Sequence, residues 1–395
     1  MRRMSPHALV RDDLRVDHLD PALARRVALT VSCRDSDRLP KVPGAGQVVE
    51  RRGARVQVMH NGLVVEEGGY YGDWMAEIIR VLKGHHEPQE EVVFAEMVAR
   101  VAAGADPAGT SPVMIEVGAF WAYYSLWFCH EIPTARAFGI EPDPAYLEVG
   151  RRNVALNDLG GRIHLEPGVV GAEPGSPLEF VAESDAIARP VVQHDLASLM
   201  DQHELDRVDL VLVDIQGWEL LFVERALPLL RDGRVRFLLI STHHHSISGT
   251  ALTHQQVARL LVDAGATVLA EHTVGESASG DGLIAVSFDE RDVDLTVEVS
   301  HVRARESLFG ELEYDLAAAQ ADAATVRVEL EAAERELAEA RETISRVRAR
   351  ARRLRQRLRA VAQEKEPRGG RGSQRTRGLV SATMRRLGGR DRQRP

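Results

Sequence analysis

The chain has 395 residues, 44% of them hydrophobic and 28% charged, with a formal net charge of −9. That composition suits one α/β domain with appendages and excludes a fibrous, wholly disordered or membrane-embedded chain. The charge is uneven: residues 341–395 carry 19 Lys and Arg against 4 Asp and Glu, and residues 1–340 carry 31 against 55. An acidic body is a poor general binder of phosphate backbones, so nucleic acid is not expected as a partner. The basic tail by itself suits an anionic membrane surface, nucleic acid or an acidic partner, and charge does not choose among them.

Cys33 and Cys129 are too few for a disulfide scaffold and lack the clustered spacing of a zinc site, which fits a reducing cytoplasm. Arg2 and Arg3 are followed by Asp12, Asp13 and Asp17 before any apolar run, so no signal-peptide core is expected. Residues 1–50, with Pro21, Pro40 and Pro43, suggest an irregular lead-in or a small cap; residues 1–84 are taken together as that cap. Residues 55–65 suggest a β-hairpin turned at Asn61-Gly62, and helical spacing follows at 74–82 and 92–103, interrupted at Pro88.

From residue 113 short apolar strands alternate with helices. Strands are predicted at 113–117, 137–140, 163–167, 210–213, 237–241, 267–271 and 283–288, and helices at 145–156, 218–230 and 253–264. Parallel neighbours need crossover connections, so this order predicts an α/β domain over residues 85–300, a mostly parallel sheet with helices on both faces. The last two strands are close enough to pair antiparallel.

Leu312, Leu316, Ala319, Ala323, Val326, Leu330 and their successors to Val361 recur alternately four and three apart, predicting a long helix or coiled coil over 308–365. A homo-oligomer, most simply a dimer, is expected from that seam, although its many alanines also suit a helix folded back on its own domain. Residues 366–395, with Gly369-Gly370-Arg371-Gly372-Ser373, read as a basic disordered tail; Leu379, Val380, Met384 and Leu387 among arginines suggest peripheral membrane contact.

The first core strand ends in Glu116-Val117-Gly118-Ala119-Phe120-Trp121-Ala122-Tyr123-Tyr124-Ser125, a small-residue turn into a helix. Such a turn lets a cofactor approach the backbone. The second strand ends in Glu141-Pro142-Asp143, where an acid can accept hydrogen bonds from ribose hydroxyls. A dinucleotide would want Gly-x-Gly-x-x-Gly against its pyrophosphate, which this turn lacks. S-adenosylmethionine has no phosphate and asks for less.

These residues, with Asn153, Leu156-Asn157 and the block Val208-Asp209-Leu210-Val211-Leu212-Val213-Asp214-Ile215-Gln216-Gly217-Trp218-Glu219, resemble the FkbM methyltransferases. The resemblance spans roughly residues 85–290 and implies the class I methyltransferase (Rossmann-like) fold, a seven-stranded sheet with one antiparallel edge. It departs at Ala122, in place of a usual glycine, at Phe120 and Trp121, and at Gln216. It implies a transferase that methylates an oxygen, most simply a hydroxyl of a sugar, glycan or secondary metabolite. By it Glu116, Gly118, Ala119, Ala122 and Glu141 line the cofactor site, and Asp214, His243 and His245 are the catalytic candidates, with His243 or His245 as general base.

Blander readings stand beside these. Asp214 would serve equally as a helix N-cap, and His243-His244-His245 as a polar loop. Magnesium held by Asp214 with His243 or His245 is chemically reasonable, but no second carboxylate marks such a site. His85-His86-Glu87-Pro88-Gln89-Glu90-Glu91 and the loop Glu271-His272 to Asp281 would either cap the acceptor pocket or be solvated turns. Tyr70-Tyr71-Gly72-Asp73-Trp74 would stack on a sugar or pack the cap. The alternative function is a weakly catalytic or non-catalytic coiled-coil assembly protein in glycan biosynthesis.

Overall fold

The computed structural model describes residues 14–105, 111–302 and 310–364. The start of the lead-in and the basic tail from residue 366 therefore lie outside the described residues. Residues up to Ala319 form one compact unit, and a second begins at Gln320.

The N-terminal stretch expected to be irregular contains a regular helix. In α1 (Pro21–Ser32), Asp20 caps the first turn by accepting from the amides of Ala22 and Leu23, with Pro21 at the first helical position. Three antiparallel strands follow, β1 (Val48–Arg51), β2 (Ala54–Val58) and β3 (Val64–Glu66), so the hairpin expected around Asn61-Gly62 is present as β2–β3. Its partner β1 was not foreseen, although Arg52-Gly53 provides two successive positive-φ residues, the requirement of a tight hairpin turn. Helices α2 (Asp73–Val81) and α3 (Pro88–Gly104) correspond to the two predicted ones.

The central region alternates as predicted: β4 (Val113–Val117), α4 (Tyr123–Glu131), β5 (Arg136–Ile140), α5 (Pro144–Leu156) and β6 (Ile163–Glu166). Next come three strands outside the main sheet, β7 (Val169–Val170), β8 (Pro177–Val181) and β9 (Ala188–His194), then α6 (Leu196–Gln202), all unforeseen. The main sheet resumes with β10 (Val208–Val213), α7 (Glu219–Arg231), β11 (Val235–Thr242), α8 (His245–Ser248), α9 (Thr253–Asp263), β12 (Thr267–His272) and β13 (Gly282–Ser287).

The seven main strands lie in the order β12-β13-β11-β10-β4-β5-β6. Every neighbouring pair is parallel except those made by β13, which runs antiparallel to β11 and β12. The antiparallel strand is thus second from the edge. Strands β4 and β11 are buried at every position, because helices cover both faces. One apolar cluster, including Met114, Leu126, Phe128 and Phe237, extends into the N-terminal elements through Val27, Ile78 and Phe94. The opposite cluster contains Ile115, Val211, Phe222, Leu238 and Leu261.

The motif asparagines explain part of that continuity. Asn153 Oδ1 accepts from the Glu66 amide at 2.8 Å, and its Nδ2 donates to the Trp121 carbonyl at 3.0 Å. Asn157 brackets Val64 in the same way, accepting from its amide at 3.0 Å and donating to its carbonyl at 2.7 Å. Helix α5 therefore pins β3 beside the turn that follows β4.

The last helix, α10, runs from Gly310 to Glu364. Its seam side chains Leu330, Leu337 and Leu354 are 57%, 50% and 52% exposed on the single chain. Among the described residues, no helix is long and apolar enough to cross a membrane.

Gly118 has φ +86°, and a Cβ there would lie 1.8 Å from the carbonyl oxygen of Asp214. Gly118→Ala is expected to cost about 2–5 kcal/mol, from left-handed strain and overpacking. Chemical denaturation of the full chain measures this; a change below about 1 kcal/mol, within the range of ordinary surface substitutions, would show that the two strand ends separate freely.

Candidate active site

The carboxyl ends of β4, β5 and β10 converge on Gly118. The amides of Gly118 and Ala119 both donate to the Ile140 carbonyl, at 3.0 and 2.9 Å, and the Asp214 amide donates to the Val117 carbonyl at 2.9 Å. A cavity of about 470 Å³ opens there, lined by Glu116, Gly118, Ala119, Glu141 and Asp214, with Tyr70, Tyr71, Phe120, Trp121, Tyr146 and Trp218 among the aromatic residues. Its size falls in the range of small-molecule sites, roughly 300–1,000 Å³. Its place is the one where open α/β sheets bind ligands.

Glu116 holds the start of α4. The N-cap Ala122 has no side-chain cap, and the Ser125 amide donates instead to Glu116 Oε2 at 3.1 Å, joined by the Ser125 hydroxyl. Burial pushes the Glu116 carboxyl up to about 7 against the pull of those donors. Glu141 accepts from the amides of Phe120 at 3.1 Å and Asp143 at 2.8 Å, and burial pushes it up to about 8. Each Glu141 oxygen has a further lone pair to offer a ribose hydroxyl. Ala122 is fully buried, has φ +59° and does not contribute to the cavity lining.

Asp214 is not a helix cap: Trp218 occupies the N-cap of α7, and Asp214 faces the cavity at the end of β10. Behind it, His243 Nε2 lies 3.2 Å from Asp214 Oδ1 and 3.9 Å from Asp281 Oδ1, while Nδ1 lies 2.7 Å from Glu219 Oε1. Burial pulls the His243 imidazole down, but Asp281, Asp214 and Glu219 together raise it well above its ordinary value. At neutral pH His243 is a cation with both nitrogens committed. Glu219 is fully buried and also accepts from the Gly217 amide at 2.8 Å; the sequence showed it only as part of a motif.

His245 is elsewhere. It starts α8, and its Nε2 lies 2.7 Å from Asp315 Oδ2, with His244 Nε2 2.9 Å from the other oxygen. The three-ligand groups among the described residues are His244, His245 and Asp315, and His60, His85 and Glu91. Asp214 and His243 belong to neither.

The segment 85–91 is neither a solvated turn nor a simple cap. His86 and Glu87 reach the cavity, whereas His85 and Glu91 are completely buried behind it. Tyr70 stacks on Trp121 at 4.5 Å and 5°, Phe120 stacks on Tyr146 at 3.7 Å and 12°, and Gln216 Nε2 donates to the Tyr71 hydroxyl at 3.0 Å. The tyrosines therefore both pack the cap and line the cavity. Six carboxylates line the cavity (Glu87, Glu116, Glu141, Asp143, Glu183 and Asp214), and among the described lining residues there is no Lys or Arg.

The strand order, with one antiparallel strand second from the edge, is that of the class I methyltransferase fold. Residues 109–268 match the family described as the methyltransferase FkbM domain. No curated protein matches the chain. Among solved structures it is similar to a human methyltransferase 10 domain containing protein, at 15% identity over 50% of this chain and 83% of that one, with a TM-score of 0.33. It is also similar to the N-terminal domain of human METTL16 in complex with SAH, at 15% identity over 51% and 71%, TM-score 0.34. A precorrin-6y C5,15-methyltransferase from Geobacter metallireducens GS-15 gives 17% identity over 49% and 87%, TM-score 0.31.

A carboxyl group that holds its proton more tightly when folded stabilises the protein at acid pH and loses that contribution as pH rises through its folded value. For Glu116 the window runs from the usual carboxyl range up to about 7. In Glu116→Gln the amide oxygen still accepts from Ser125, so melting temperatures of variant and wild type should converge near pH 5 and separate by pH 9, with the variant higher. An equal loss at both pH values would mean that Glu116 is not held protonated by burial.

Proposed function

We propose that the chain transfers a methyl group to a hydroxyl oxygen of an uncharged, polyhydroxylated acceptor, a sugar, glycan or secondary metabolite. The observation that carries this reading is the cavity wall itself, rich in carboxyl groups and aromatic faces and, among its described residues, without a Lys or Arg, the one cationic group there being His86 paired with Glu87 and Glu91. Phosphate-bearing acceptors meet repulsion there, whereas hydroxyls find acceptors and sugar faces find rings.

S-adenosylmethionine, when bound, supplies the activated methyl group. The donor set fits it: Gly118 and Ala119 leave the backbone open, Glu141 offers oxygens to ribose hydroxyls, and the carboxylates favour a cationic cofactor. Asp214 is placed to accept the proton that the acceptor hydroxyl gives up. His243, fixed between Glu219 and Asp214, acts as a positioning residue that holds the Asp214 carboxyl group in its orientation. In this reading Asp214 replaces His243 or His245 as the base. Alignment of acceptor and methyl group provides much of the rate gain.

The first test is calorimetric titration of the full chain with S-adenosylmethionine and its demethylated product, with NAD as control. Binding of the first two, weakened in Glu141→Ala, is expected, followed by addition of one methyl group to a glycan acceptor detected by mass. Asp214→Asn should lower kcat about 10²–10⁴-fold with cofactor affinity little changed, the range for loss of a general base. No binding by the wild type would favour the assembly role.

The same reading pairs α10 with a second copy of itself, since the heptad positions are half exposed or more on one chain. Light scattering should give a dimer that becomes monomeric when Leu330, Leu337 and Leu354 are changed together to Lys; a wild-type monomer excludes the pairing.

A further inference from the structure

A second group of histidines lies behind the cavity. His60, in the turn between β2 and β3, and His85, between α2 and α3, stack face to face at 4.2 Å and 19°, with Glu91 of α3 beside them. They are 4%, 0% and 0% exposed. Each offers one ligand atom, and the three atoms lie within 4.8 Å of one another.

Two features separate this group from an ordinary buried polar cluster. The first is the tautomer of His60. Its Nδ1 lies 3.1 Å from the Pro40 carbonyl, which can only accept, so Nδ1 carries the proton and Nε2 keeps a lone pair. That Nε2 is buried without a hydrogen-bond partner, and so is His85 Nε2. A metal-ligating imidazole shows this arrangement, with one nitrogen donating to a carbonyl and the other free for the ion.

The second feature is that the backbone assembles the site before any ligand arrives. The His60 amide donates to the Gly84 carbonyl at 3.1 Å, and a Cβ on Gly84 would lie 2.2 Å from the His60 nitrogen. Only glycine lets the β2–β3 turn sit against the segment carrying His85. Glu91 is fixed at both oxygens: Oε2 pairs with His85 Nδ1, the proton between them being the one an ion would displace, and Oε1 accepts from the His86 amide at 2.8 Å. Trp127 closes one side, its ring edge-on to His60 at 4.4 Å. A cavity of about 440 Å³, lined in part by His60, lies beside the group.

We propose that His60, His85 and Glu91 bind a divalent transition metal ion of the zinc or iron(II) class. Two imidazoles and one carboxylate are the donor set of such ions and a poor one for magnesium or calcium, which prefer oxygen. The ion is structural: it ties the β2–β3 turn to the start of α3. Its effect reaches the larger cavity through His86, whose Nδ1 lies 2.6 Å from Glu91 and whose Nε2 lies 3.2 Å from Glu87. The site stands whether or not the methyl acceptor is a sugar.

Full-length protein purified without chelator should carry about one equivalent of metal by plasma mass spectrometry, as a buried structural site would. His60→Phe, which keeps a ring against His85 and Trp127, and Glu91→Gln, which keeps an acceptor for the His86 amide, should each carry less than about a tenth of that while retaining the wild-type far-ultraviolet spectrum. Refolding in chelator should lower the melting temperature, with recovery on adding zinc or iron(II) and none on adding magnesium. The proposal is overturned if wild-type protein, expressed and refolded with zinc, iron(II) or manganese, holds no metal and melts at an unchanged temperature. It is equally overturned if both variants retain the wild-type metal content.

Discussion

The site depends on a contact that only a missing side chain permits. Where β4 and β10 end, the two connections must part to reach helices on different faces, and the crevice between them is the binding place of such sheets. Gly118 lets the Asp214 carbonyl approach to a distance that any Cβ would forbid. The two strand ends therefore stay together until the last residue, while the amides of Gly118 and Ala119 draw in the end of β5 through Ile140. Glu116, Glu141 and Asp214, from three different strands, become one wall as a consequence.

A wall of carboxyl groups, with Glu116 and Glu141 buried and Asp214 half-buried, is costly, and the chain offsets that cost differently at each one. Glu116 has two donors from Ser125 and, like Glu141, a raised affinity for its own proton. Glu141 has two backbone amides. Asp214 has a histidinium, itself held by Glu219. Only the last arrangement sets a carboxyl group facing the cavity against an imidazole that fixes its orientation, which is why Asp214 is the one proposed to accept the proton. The cavity that results is lined by carboxyl groups and aromatic faces.

The main sheet was legible because strands buried on both faces read as uninterrupted apolar runs. Strand β8 was not, since its residues Pro177 to Val181 alternate between exposed and half-buried positions outside that sheet. Helix α1 was hidden by Arg25 and Arg26 within an apolar stretch; Arg26 in fact donates to the Ser279 carbonyl. Glu116, Gly118, Glu141 and Asp214 were legible because strand-end spacing announces them. Glu219 looked like any acid in a first helical turn, and nothing in its spacing indicated that it is fully buried. His243 and His245 were indistinguishable by sequence. Alternation would have placed both on one face had the strand continued, but β11 stops at Thr242 and α8 begins at His245.

Ala122 shows how a departure from the family pattern is absorbed. A side chain with φ +59° carries strain that glycine would not, and its methyl group could be expected to narrow the cofactor site. It does not line the cavity, because the wall passes through Ala119, Phe120 and Trp121 while Ala122 turns beneath them. The space it occupies is left by Gly150 of α5, whose own Cβ would lie 3.5 Å from that of Ala122 and 2.7 Å from the Phe120 carbonyl oxygen. Freedom surrendered in the turn is thus recovered on the neighbouring helix: an added methyl at 150 would push directly on Phe120, whereas the one at 122 is enclosed in the core. The aromatic residues of the turn can then face the cavity with the helix below them unmoved.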